Sequence, residues 1–142
     1  MTTLVLGERA ARFLPQGLVA PVGPRLLCDT VLRHDPPTAL EAEAAIEAIE
    51  DAVMPLHRQL VPDGELLVQG GEGVRALAAL AGTELDAAAI EALFERAVAL
   101  AQGRPRTADP VLAQPSVFAC LLILREVLHH LGFTTLRLAP PA

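Results

Sequence analysis

The clearest chemical possibility in this chain lies in Gly70-Gly71-Glu72-Gly73. The motif follows a short apolar run, Glu65 to Gln69, and opens a helical pattern from Val74 to Ala81. Free N–H groups at such a helix start form an anion site, and glycine lets a ligand approach the backbone. The pattern is neither G-x-G-x-x-G nor a Walker loop, and no Gly-Lys-Ser/Thr follows it. Glu72 also puts negative charge where a phosphate would sit. A plain strand-to-helix turn is the stronger account of these residues. If the turn is a site, its ligand-binding set is Gly70, Gly71 and Gly73 with Arg33.

Arg33-His34-Asp35 is the candidate for acid/base chemistry. Asp35 can orient His34, and His57 can join them across the fold, which makes His34, Asp35 and His57 the candidate catalytic residues. Neighbours on a strand point to opposite faces, so His34 and Asp35 do not meet automatically. An exposed polar strand end explains the triplet equally well.

His129-His130 invites a metal, but adjacent helical residues diverge by about 100° and cannot chelate one ion together. Glu126 lies one turn before both, so a Glu-His pair is geometrically available. Polar side chains at the negative end of a helix dipole are the blander and better account. No C-x-x-C or H-E-x-x-H occurs, and neither a metal nor a cofactor is expected. Glu43, Glu47, Glu50 and Asp51 read as the solvated face of a helix. Ser116 is the only serine, lacks a G-x-S-x-G context and reads as a helix cap. Cys28 and Cys120 sit in apolar runs and read as reduced, inert thiols.

The elements that must position these groups come from periodicity and punctuation. Thr3 to Leu6, Gly17 to Val22 and Arg25 to Leu32 read as three strands of an antiparallel meander, with 17–22 at an edge because Pro and Gly crowd it. Alternatively, Glu8 to Phe13 forms a helical turn between two strands. Thr38 and Glu41 make a T-x-x-E capping box, and Ile46, Ile49, Val53 and Leu56 form one helical stripe. Pro55 ends or kinks that helix near Met54. Val61-Pro62-Asp63-Gly64 is a turn, and 65–69 a buried strand. Further helices span 74–81, a segment starting at Thr83 or Asp86 and ending before Gly103, and 116–131. The last is apolar nearly all round to Leu124 and should be the central core helix. Phe133 to Leu138 alternates as a final strand, followed by a short Ala/Pro tail, Ala139 to Ala142.

The expected fold is therefore α+β, a single domain over 1–142. A small mixed or antiparallel sheet of four to five strands (three N-terminal, one central, one C-terminal) packs on about four helices. This order, a three-strand opening followed by a helix and a Gly-flanked strand, resembles half of an actin-like ATPase domain. The phosphate loops and acidic residues of that family do not occur in it.

Composition narrows the partners. All 11 basic residues are Arg, and Lys, Asn, Trp and Tyr are absent, a bias typical of high-GC bacterial genomes. Net charge is −6 and the Arg residues are scattered, which argues against nucleic acid and anionic membranes. The longest apolar run, Val117 to Leu124, is far short of the ~20 residues that span a bilayer. No secretory signal is evident, so the expected location is cytoplasmic. Abundant apolar stripes and few organised polar groups favour a non-enzymatic binding or protein-interaction domain, expected as a homodimer. The alternative is a small enzyme or anion/phosphate-ligand binder using Gly70–Gly73 with Arg33, His34 and His57. Convergence of those groups on one pocket decides between them.

Overall fold

Three strands open the chain: β1 (Thr2–Leu6), β2 (Ala11–Leu14) and β3 (Leu18–Ala20). They pair antiparallel in that order, and β3 forms an edge. The computed structural model describes residues 1–139; residues 140–142 of the Ala/Pro tail lie outside them. Ala11 and Phe13 are buried while Arg12 and Leu14 face outward, the alternation a strand requires. The helical turn considered for 8–13 is thus a turn followed by a strand.

Arg25 to Leu32 is not a strand. Pro24–Thr30 forms a short helix, α1, with Pro24 in its first turn. Proline's fixed φ suits that position, where no N–H is needed. The helix buries Leu27 while the chain beyond it buries Leu32.

Helix α2 (Ala39–Val53) starts as its capping box demands. The Glu41 amide donates to Thr38 Oγ1 at 3.2 Å, and the Thr38 amide donates to Glu41 Oε1 at 3.0 Å. It gives way at Pro55 to a 3₁₀ turn, Met54–Leu56. Strand β4 (Glu65–Gly70) follows, then α3 (Glu72–Ala81), a three-residue strand β5 (Glu84–Asp86) and α4 (Ala87–Ala101). Asp86 both ends β5 and caps α4, accepting from the Ala89 amide at 2.9 Å. A turn-length α5 (Pro110–Ala113), the long α6 (Pro115–Leu131) and β6 (Thr135–Ala139) complete the chain.

Among the described residues the result is a mixed α/β fold with one six-stranded sheet, ordered β3-β2-β1-β4-β6-β5, and six helices. Its centre is parallel: β1 pairs with β4 and β4 with β6. The antiparallel β2–β3 and β5 flank it. The class is as expected; the extra elements are β2, β5, α1 and α5. Helix α6 is the hub of the helical layer, in contact with α1, α2, α3, α4 and α5. Residues 117–124 on it are each buried, so it has no solvent face there. No helix among the described residues is long and apolar enough to cross a membrane.

Candidate functional site

Parallel strands deliver their carboxyl ends to one edge of a sheet, and crevices there are the usual ligand sites of such folds. In this chain Leu6 and Gly70 are the paired last residues of β1 and β4. Beyond Leu6 the chain turns sharply, the Gly7 amide donating to the Ala10 carbonyl at 3.0 Å. The turn carries Glu8. Its carbonyl accepts from the Arg25 and Leu26 amides at 2.8 and 3.2 Å, so the start of α1 is docked on this turn. Gly23 makes the docking possible: a Cβ there would lie 2.4 Å from the Glu8 carbonyl oxygen.

The β4–α3 turn closes the other side. Gly73, in the first turn of α3, packs against α6 so tightly that a Cβ would sit 2.9 Å from Cys120 Cβ. Gly71 has no such neighbour; the nearest atom to its virtual Cβ is Glu8 Oε1 at 3.6 Å. Between the two turns lies a cleft of about 560 Å³, lined by Glu8, Arg25, Cys28, Asp29, Gly71–Gly73, Ser116 and Cys120. Gly7, Gln69 and Gly70 line a neighbouring hollow across Glu8 and Gly71.

Charge in the cleft is mixed. Asp29 takes both Arg9 and Arg25, the latter through Nε at 3.2 Å. Arg9's hydrogen bond, aided by Arg25, holds the Asp29 carboxyl below its ordinary value against partial desolvation. Glu8 and Glu72 have no ion-pair partner among the described residues. No side chain caps α3, so the amides of its first turn, where Gly71–Gly73 line the cleft, lack a side-chain acceptor among the described residues. Both cysteines are free thiols. Burial pushes Cys120 up to about 12 and raises Cys28, so neither supplies a thiolate nucleophile at neutral pH.

The residues singled out from sequence divide into two groups. Gly71 and Gly73 line this cleft, and Gly70 the neighbouring hollow. Arg33, His34, Asp35 and His57 do not. Residues 33–35 belong to the loop between α1 and α2, not to a strand end. His34 is held by the capping residue, Nδ1 lying 2.7 Å from Glu41 Oε2. Asp35 accepts a two-pronged pair from Arg106 at 2.8 and 3.2 Å, so it does not orient His34. Arg33 spends its guanidinium on the Asp29 carbonyl at 3.1 Å, and His57 is exposed beyond the 3₁₀ turn. The triad-like convergence is absent from the cleft. Ser116 is not a cap either: α6 begins at Pro115, and Ser116 lines the cleft from its first turn.

Sequence reasoning missed Glu8, Arg25 and Asp29. Arg25 and Asp29 stand at i and i+4, a helical pair visible only once 24–30 is read as a helix. The Gly23-Pro24 start was the available signal.

No protein-family model matches this chain, and no curated protein matches it. Solved structures do. The fold is similar to about half of a Ppx/GppA enzyme. Two structures of the Aquifex aeolicus Ppx/GppA protein match at TM-scores of 0.69 and 0.71, each with 18% identity. They cover 99% and 98% of this chain, which spans 54% and 52% of those longer chains. An exopolyphosphatase-like protein matches at a TM-score of 0.65 with 14% identity, over 96% of this chain and 53% of its own. At these identities the Ppx/GppA likeness is one of fold.

Proposed function

We propose that this domain binds a phosphate-bearing anion in the cleft at the carboxyl ends of β1 and β4. The observation that carries the reading is the meeting of two anion-holding features there: the uncapped first turn of α3 and the Arg25 guanidinium. Amides at a helix start and a charge-assisted guanidinium bond both favour phosphate oxygens. The solved structures of similar fold include a Ppx/GppA phosphatase, which supports the phosphate reading over a purely non-enzymatic interaction domain. Within it, the role of Gly70, Gly71 and Gly73 is to bring backbone amides to the ligand, and Arg25 replaces Arg33 as the guanidinium partner.

Two guanidiniums, of Arg9 and Arg25, face three carboxylates, of Glu8, Asp29 and Glu72. The bare cleft is therefore a weak anion trap, and Glu72 should oppose binding. Should the ligand be turned over, Glu8 is the group assigned to activate water, because no cation occupies its carboxylate among the described residues.

Titration of ¹⁵N-labelled protein with inorganic phosphate and tripolyphosphate tests the binding claim. The amides of Glu72, Gly73 and Val74 should shift first and saturably. Shifts confined to Arg residues elsewhere, or none at millimolar ligand, would remove the cleft from consideration. Loss of phosphate release with retained binding in Glu8→Gln would support turnover. The homodimer is a separate proposal, which light scattering at micromolar concentration ends if the mass is that of one chain.

A further inference from the structure

Helix α6 is apolar over most of its length, yet it keeps a carboxylate in the core: Glu126 is 2% exposed. Burying an ionised carboxylate is costly unless cations and hydrogen bonds compensate it. Arg125 Nη1 donates to Glu126 Oε2 at 2.8 Å, which satisfies one oxygen. The other, Oε1, faces His130 Nε2 at 3.2 Å, one turn further along the same helix. A third donor arrives from a different element: Glu50 Oε2 of α2 lies 4.0 Å from the same His130 nitrogen. Adjacency in sequence gives only the Glu126–His130 pair. The α2–α6 packing makes it three.

We propose that Glu50, Glu126 and His130 form a binding site for a first-row divalent cation of the zinc type. The three ligand atoms lie within 4.8 Å of one another. Bonds of about 2.0–2.2 Å to zinc place tetrahedral ligands roughly 3.4 Å apart. The Glu126–His130 separation already fits, and Glu50, whose side chain is 43% exposed, is free to close the remainder by a rotamer change. Three protein ligands leave a fourth position for water, on the side where His130 and Glu50 reach solvent.

Charge and outer contacts point the same way. Arg125 also pairs with Glu91 of α4 through Nε at 2.8 Å and lies over the Phe94 ring at 3.8 Å. It is thereby fixed behind Glu126, holding the oxygen that does not face His130, the way outer-shell partners orient a ligating carboxylate. Glu50, Glu91 and Glu126 against Arg125 leave two negative charges with neutral His130, which one divalent ion balances. An imidazole with carboxylates suits zinc or manganese, whereas magnesium prefers oxygen and water alone. His129 does not belong to the site; it is exposed, its ring edge-on to that of His130.

Calorimetric titration of the metal-free full chain with ZnCl₂, MnCl₂ and MgCl₂ tests this. One zinc per chain should bind, more tightly than magnesium, and raise the melting temperature. Glu50→Gln and His130→Gln should each weaken zinc at least about tenfold, whereas His129→Gln leaves it unchanged. Glu50 is half-exposed, so its variant folds even where one at Glu126 does not. Equal zinc affinity in the wild type and the His130→Gln variant, or no one-to-one binding at all, would leave these residues as an ion-pair network and overturn the proposal.

Discussion

The two ends of α6 solve different problems. At its start, Cys120 meets Gly73 across a close helix contact and Ser116 opens on a cleft whose charges are all exposed. At its end, Arg125, Glu126 and His130 tie α6 to Glu91 on α4 and Glu50 on α2. One end positions backbone amides by leaving side chains out; the other binds three helices together through charge. In the metal-free protein, charge changes at the first should therefore be read in anion binding, and those at the second in stability.

The sharpest break of that contrast is Glu126→Ala, which leaves Arg125 and His130 without their buried partner. Arg125 keeps Glu91, so a loss of about 1.5–3 kcal/mol is expected in urea unfolding. Asp29→Ala, at the cleft, should leave the unfolding midpoint where it is while altering anion binding. Comparable midpoint shifts in the two would erase the distinction.

The glycines of the turn divide in the same way. Gly73→Ala gains helix propensity but forces a Cβ to 2.9 Å from Cys120 Cβ. Overpacking should win, with a net cost of about 1–2 kcal/mol. Gly71→Ala meets nothing closer than 3.6 Å; it should cost under about 1 kcal/mol, yet lower anion affinity by crowding the amides.

Smaller still is the effect of pH on the α2 start. Desolvation pushes the Glu41 carboxyl up, but hydrogen bonds from the Thr38 amide, His34 and the Arg33 amide together hold it below its ordinary 4.5. A carboxyl depressed in the folded state contributes stability that is present above that ordinary value and lost as pH falls through the folded one. Glu41→Gln should flatten this acid limb, and Thr38→Ala should cost about 1 kcal/mol at neutral pH. Last, iodoacetamide at neutral pH should leave Cys120 unmodified in the native protein and alkylate it once unfolded, as mass spectrometry would show; rapid native labelling would contradict its burial.

How legible all this was depends on range. The capping box of α2, the core helix over 116–131 and the strand before Gly70 rest on contacts within a few residues, and they are where their patterns put them. Arg25 to Leu32 misled because β-branched and leucine residues suggest a strand, while the decisive interaction, the Glu8 carbonyl on the Arg25 amide, comes from a distant turn. The short β2 and β5 are stabilised by partners already in the sheet, so three or four residues of alternation sufficed. The same holds for chemistry. Gly71 and Gly73 were visible as a local motif. His34, by contrast, has Asp35 as its sequence neighbour, whereas the fold gives it Glu41 and sends Asp35 to Arg106, 71 residues away.

Opposite charge changes on the two sides of the cleft test anion binding there directly. Tripolyphosphate affinity should be measured by calorimetry for the wild type, Arg25→Met and Glu72→Gln. Affinity should fall several-fold in the first variant and rise in the second. No change in either, or a fall in both, would mean that the α3 amides and Arg25 do not hold the anion together.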